Sequence, residues 1–157
     1  TLKFKSISYR ATSCDISVSG PSQITLNTIE KNTLMSIPRG GTTPSQKTIT
    51  MDVSCPAGSI GNKLYYWFNP VGGTSPAGNG IIDNLLTGSG AASNVGIIFK
   101  KDNSPVIFYD AETYSFASAQ ASQQFKFTAD YYRMSDNSAE VTAGHVKAML
   151  EVVIQEE

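Results

Sequence analysis

The stretch 145–155, His-Val-Lys-Ala-Met-Leu-Glu-Val-Val-Ile-Gln, constrains the rest of the chain more than any other. Val146, Ala148, Leu150, Val152 and Ile154 fall on every second position, while Lys147, Glu151 and Gln155 lie on the alternate ones. Successive side chains of a strand point to opposite faces, so this period describes a β-strand with one face in a core. The sequence ends two residues later, and no later segment within it is expected to pair with the strand's free side. A long apolar strand at a sheet edge carries unpaired N–H and C=O groups that invite another chain to add itself. Its edge is therefore expected to be covered, either by an earlier segment or by another protein.

The earlier segments read as more strands. Leu2 and Phe4 share one phase, and Ile7, Tyr9 and Ala11 the other, which predicts a bulge or break near Lys5-Ser6 and a first strand over 7–11. Ile24 and Leu26 alternate with polar residues, as do Ile49, Met51 and Val53 in the strand 47–55. Residues 62–68 are rich in sheet-favouring aromatics, with Leu64, Tyr66 and Phe68 on one face and Tyr65 and Trp67 on the other. Val95, Ile97 and Phe99 are in phase, and Lys100–Asn103 turns that strand into 105–109, a hairpin by spacing. Phe125, Phe127, Ala129 and Tyr131 line one more strand after a polar link at 111–122. Glycine and proline mark loops at 36–46 and 69–80, and Thr87–Ser93 reads as a flexible turn. About nine short strands with regular turn signals and no convincing helix predict an all-β sandwich. The 157 residues read as a single domain over 1–157.

Cys14 continues the phase of Ile16 and Val18, and Cys55 that of Ile49, Met51 and Val53, so both point inward from neighbouring strands. They are either two buried thiols or a disulfide; the shared inward direction favours the disulfide and an oxidising compartment. With 12 basic against 13 acidic residues the chain lacks the basic balance of a nucleic-acid binder. Its apolar runs are far shorter than the ~20 residues of a membrane-crossing helix.

Signs of catalysis are missing. The single histidine, His145, cannot form a histidine metal cluster or relay, and it opens a strand on the polar face. Gly88-Ser-Gly90-Ala-Ala-Ser93 lacks the third glycine and the helix of a phosphate loop. Carboxylates such as Asp52, Asp102 and Asp130 show no pattern that pairs them across a cleft. The reading is therefore of a protein that is not an enzyme, without cofactor or metal. Tyr65 and Trp67 share a face and are candidates for a sugar-stacking platform, set against simple burial of both rings.

Several segments together resemble the subunits of bacterial chaperone–usher fimbriae. They are Cys14, Thr48-Ile-Thr-Met-Asp-Val-Ser-Cys55-Pro56, Ala92-Ser-Asn-Val-Gly-Ile-Ile-Phe99, Phe127-Thr-Ala-Asp-Tyr-Tyr132 and Val141-Thr-Ala-Gly-His-Val-Lys-Ala148. The resemblance implies an incomplete immunoglobulin-like sandwich that lacks its final strand and is completed by a donor strand. It implies a groove beside Val146, Ala148, Leu150, Val152 and Ile154, with Ile7 and Tyr9 on the opposite wall. It further implies a periplasmic chaperone, a neighbouring subunit's donor strand and an outer-membrane usher as partners, and passage through the periplasm to a cell-surface fimbria. The alternative within the same resemblance is a carbohydrate-binding tip domain that uses Tyr65 and Trp67 against a host glycan or receptor. Two departures stand out: Glu156 occupies a place where family members carry an aromatic, and Thr1–Ser6 are too few to fill a groove matched to the last strand. The chain is accordingly expected to be a truncated piece, the pilin half of a tip adhesin whose lectin domain is absent, or a subunit that receives a strand without donating one.

Overall fold

A computed structural model describes residues 2–8, 13–20, 23–71 and 78–157, the first of these through the backbone alone. The expected first strand over 7–11 and the turn at Pro21 lie partly outside these residues, as does the middle of the 69–80 loop. Among the described residues, eleven strands and one short α-helix follow one another: β1 (Leu2–Ser8), β2 (Asp15–Val18), β3 (Gln23–Ile24), α1 (Lys31–Ser36), β4 (Lys47–Ser54) and β5 (Leu64–Val71). Then come β6 (Ile81–Asp83), β7 (Val95–Lys101), β8 (Ser104–Pro105), β9 (Tyr114–Phe116), β10 (Ser122–Arg133) and β11 (Ala148–Glu156). They form two facing sheets. One has the order β3-β1-β11-β5-β9; the other runs β2-β4-β10-β7-β6, with β8 folded back on β7. Among these strands the pairings are antiparallel, apart from β1 with β11, which is parallel.

The core follows from alternation. Ile49, Met51 and Val53 of β4 and Phe125 and Phe127 of β10 are buried, and the register sets Phe125 opposite Met51 and Phe127 opposite Ile49. Across the sandwich Tyr66 stacks on Phe125 with ring centroids 3.9 Å apart, and Phe68 meets Phe127 edge-on at 5.1 Å. Such aromatic pairs add to the burial of their area. Cys14, just before β2, is bonded to Cys55, just after β4, and ties the edge of one sheet to its interior.

Several local expectations are corrected. Asn69 and Pro70 belong to β5 and are not loop. Proline is tolerated there because ladder groups of successive residues point to opposite sides. The Phe68 carbonyl accepts from the Tyr109 N–H at 2.9 Å, so Pro70, two residues on, directs its donorless nitrogen to that side and away from β11. The polar link at 111–122 contains β9, and α1 occupies six residues in which only Leu34 is buried. The hairpin after β7 is tighter than expected: Asp102 and Asn103 both have positive φ, 50° and 68°, between the paired Lys101 and Ser104. That is the backbone of a two-residue hairpin turn whose twist matches its strands.

The 37–46 loop is pinned by buried polar groups. Asp130, 2% exposed, accepts from the Thr43 N–H at 2.7 Å and the Thr43 hydroxyl at 2.5 Å, while the Lys100 ammonium donates to the Gly40 carbonyl and Arg133 Nε to that of Ile37 at 3.1 Å. Burial pushes the Asp130 carboxyl above its usual range, against the pull of the Thr43 and Tyr131 donors and of Lys100. A carboxylate in this position needs those donors, because an unpaired buried charge is costly.

Candidate functional site

β11 is central to its sheet, not at the edge. On one side it runs antiparallel to β5 over eight residue pairs, from Met149 opposite Val71 to Glu156 opposite Leu64. On the other it runs parallel to β1 over seven, from Leu2 beside Ala148 to Ser8 beside Ile154. Ala148, Leu150, Val152 and Ile154 are at most 1% exposed, and Val146, just ahead of the strand, is 9% exposed. The predicted apolar stripe is thus the inner face of the sheet. Among the described residues, the strand that covers the free edge of β11 is an earlier segment of the same chain.

β1 has one further ladder among the described residues, to β3. β3 pairs with it only at Leu2 and Lys3. The β1–β11 ladder is continuous, so the bulge expected near Lys5-Ser6 is absent. Ile7, expected on an opposite wall, stands in the β1–β11 register itself, beside Val153. Tyr9 lies outside the described residues.

Beyond the start of β1 the apolar lining continues into a cavity of about 620 Å³. Leu26, Leu34, Val95, Val141 and Val146 line it, and Lys31 and Lys147 stand among its polar lining. The loops that lead into β11 pack closely on one another. A Cβ on Gly144 would sit 2.5 Å from the Ala91 carbonyl carbon and the Ala92 nitrogen, closer than any side chain can be accommodated. His145 contributes backbone only to this junction: its N–H donates to Gly90 and its carbonyl accepts from Ala92 and from Asn84 Nδ2.

At the opposite end of β11, Glu156 continues the inward phase but is paired with polar partners. Its two carboxylate oxygens accept from the Ser59 hydroxyl at 2.8 Å and from Asn62 Nδ2 at 2.7 Å. The departure from an aromatic at this position therefore has an internal reason. The charge closes the end of the sandwich over the short 3-10 turn at Ala57–Ser59.

The sugar platform fares worse. Tyr65 is half-buried with the Lys63 ammonium 4.8 Å from its ring centre, and Trp67 is only 8% exposed. Stacking on a sugar needs an open ring face, which Trp67 does not offer. Its register partner across the β5–β11 ladder is Val153, itself 2% exposed, so the pair is an apolar contact on the outer face that simple alternation assigns to solvent. Among the described residues no group of three His, Cys, Asp or Glu side chains is placed to hold a metal ion.

A family model described as fimbrial protein matches residues 2–155. The chain belongs to the fimbrial protein family. No curated protein sequence matches it. Among solved structures it is similar to the P pilus rod subunit PapA, with 19% identity and a TM-score of 0.61 over 90% of this chain and 99% of that one. It is also similar to a chaperone–usher pilus protein from a study of rod uncoiling, at 15% identity and TM-score 0.62 over 90% and 87% of the two chains. The CupB6 tip adhesin of Pseudomonas aeruginosa matches at 16% identity and TM-score 0.52, over 99% of this chain but 39% of the adhesin. At these identities the likeness is one of fold. The fimbrial subunits share with this chain a sandwich of two sheets, and membership of the family makes it a component of a bacterial surface fibre.

Proposed function

We propose that this fimbrial subunit is assembled by the chaperone–usher route and is completed, in the fibre, by a strand from another polypeptide lying beside β11. The observation that carries the reading is the position of β1: the place next to β11 is taken by the seven-residue strand Leu2–Ser8, which pairs with β3 at only two residues, and a partly apolar cavity lies beyond its start. The inner face of β11 gives the energetic reason. About five alternating apolar side chains, each worth roughly 1.5–3 kcal/mol when buried, contribute an upper bound of ~8–15 kcal/mol. A typical domain is stable by only ~5–15 kcal/mol in total. Filling this place is therefore closer to the completion of folding than to docking on a finished surface. Ladder bonds to β11 supply generic affinity, and alternate donor side chains facing the core, one of them reaching the cavity at Val146, supply selectivity.

In this reading a periplasmic chaperone protects the groove first, an outer-membrane usher receives the complex, and a neighbouring subunit provides the permanent strand. The role is structural and supports adhesion from the cell surface. The test is to refold the chain with a peptide that alternates valine with threonine and to examine the product by native mass spectrometry and thermal unfolding. A one-to-one complex with a raised midpoint is expected; an unchanged monomer at every peptide concentration would contradict the proposal.

A further inference from the structure

A second cleft lies at the far edge of the sandwich from β1, where the two sheets part. β9 is the outermost strand of its sheet. In the facing sheet β7 ends at Lys101 and its ladder to β10 stops at Thr128, so residues 124–127 of β10 pair only with β4 among the described residues. The gap between β9 and this open stretch is a cavity of about 670 Å³, within the roughly 300–1,000 Å³ of small-molecule sites. Its floor is aromatic. Tyr66 stacks on Tyr114 with ring centres 5.7 Å apart, lies 5.5 Å from Phe116, and is backed by Phe125 at 3.9 Å. Tyr66 is buried, whereas Tyr114 and Phe116 are half-buried and keep ring surface open to the cleft. The Tyr114 hydroxyl accepts from the Ile107 N–H at 3.3 Å, which holds its ring in place.

Lys101 sets the charge of this cleft. It continues the inward phase of Ile97 and Phe99, and its side chain is only 16% exposed, yet its ammonium reaches no hydrogen-bond acceptor among the described residues. The exposed Asp102 carboxylate stands 3.9 Å away and the Tyr66 ring centre 6.0 Å, both too far for a strong contact. A largely buried ammonium without an acceptor is costly, and an anion in the cleft supplies the acceptor it lacks. Lys126 lines the same cleft and adds a second positive charge.

From this juxtaposition we propose that the cleft binds a carboxylated saccharide, with a sugar ring laid on Tyr114 and Phe116 and its carboxylate on the Lys101 ammonium. The lining selects this class of ligand. The C–H face of a sugar ring suits the negative face of an aromatic ring, and the Ser115 hydroxyl and Asp102 carboxylate stand at the rim for ring hydroxyls. A hydrocarbon ligand would leave these polar groups unpaired, and a neutral sugar would leave Lys101 without its acceptor. Such a site gives the subunit its own contact with acidic glycans. It is independent of the strand that completes the sandwich beside β11, which lies on the other side of β5 from β9.

The experiment titrates the ¹⁵N-labelled full chain at neutral pH with methyl β-glucuronide and with sialyllactose, and with their neutral counterparts methyl β-glucoside and lactose, and follows the backbone amides by NMR. At least one acidic sugar should shift the amides of residues 101–104 and 114–116 and bind at least about tenfold more tightly than its neutral counterpart, the scale of one charge-assisted hydrogen bond. Lys101→Met should remove that preference, and Lys101→Arg should retain it within about threefold because it keeps a charged donor. Lys63→Met removes an equal charge beside Tyr65, outside the cleft, and should alter binding by less than about twofold. Unchanged amide positions elsewhere in the spectrum establish that Lys101→Met is folded; if it is not, the acidic-against-neutral comparison on the wild type decides alone. Equal affinity for acidic and neutral sugars, no shift with any of the four, shifts confined to Tyr65 and Trp67, or full acidic binding by folded Lys101→Met would each overturn the proposal.

Discussion

Leu150 is the residue whose replacement should separate the two faces of β11 most clearly. It is 1% exposed, pairs with Pro70 on one side and with the Phe4 position on the other, and belongs to the main core. Leu150→Ala removes buried carbon that neighbouring strands cannot close around, and losses of this kind run to about 2–5 kcal/mol. Taking about 3 kcal/mol and a shift of about 2–4 °C per kcal/mol for a domain of this size, the unfolding midpoint should fall by roughly 6–12 °C. Leu150→Lys places an ammonium where no partner is available and should prevent folding or leave only a loosened state. Met149 sits one residue earlier, half-buried on the outer phase, and Met149→Lys should cost under about 1 kcal/mol. Circular dichroism melts of the three variants, with near-ultraviolet signal as a check on packing, read this directly. Equal losses at 149 and 150 would refute the assignment of an inner and an outer face.

Other expectations follow from single features. The Cys14–Cys55 bond closes a sequence separation of 41 residues and should contribute about 4 kcal/mol in the chain-entropy view, so the Cys14→Ser, Cys55→Ser pair should melt roughly 8–16 °C lower, and free thiols in the protein isolated under non-reducing conditions would contradict the bond. Asp130 has a raised carboxyl pKa in the folded state, so the folded state holds its proton to higher pH than the unfolded state; its contribution is fully present below the unfolded pKa and is lost as pH rises through the folded one. Asp130→Asn should therefore remove a downward slope of stability between about pH 4 and the raised folded value, and urea titrations that give parallel pH profiles for the two proteins would argue against this. Glu156→Ala leaves Ser59 and Asn62 without their acceptor and should cost about 1–2 kcal/mol, with Glu156→Gln intermediate, as measured by chemical denaturation.

How much of this was legible in the sequence differs from element to element for physical reasons. β4 was readable because Ile49, Met51 and Val53 are buried on one face while its other face carries polar residues. The inner stripe of β11 was readable for the same reason, and so were the inward phases of Cys14 and Cys55. Trp67 and Val153 were not, because an outer face that is itself buried breaks the equation of alternation with exposure. α1 spans six residues, under two helical turns, too short for a 3.6-residue period to show. β9 hides among serines, and its place is set by pairing of Tyr114–Phe116 with β5, not by its own pattern. The occupant of the groove was the largest omission. The two apolar phases in 2–11 suggested a bulge, yet the parallel ladder with a strand at the far end of the sequence runs unbroken from Leu2 to Ser8. Pairing between segments so distant in sequence has no local signature.

The most direct test of the central claim identifies the neighbour of β11 in assembled fibres. A photo-crosslinking amino acid at Met149, on the outer phase of β11 and therefore clear of the core, can be introduced into subunits assembled from an equal mixture of ¹⁴N- and ¹⁵N-labelled chains. Mass spectrometry of the linked peptides distinguishes partners from the same chain and from another. Mixed-label links from β11 to a strand of another subunit are expected. Links confined to Leu2–Ser8 of the same chain in mature fibres would contradict completion by an exchanged strand.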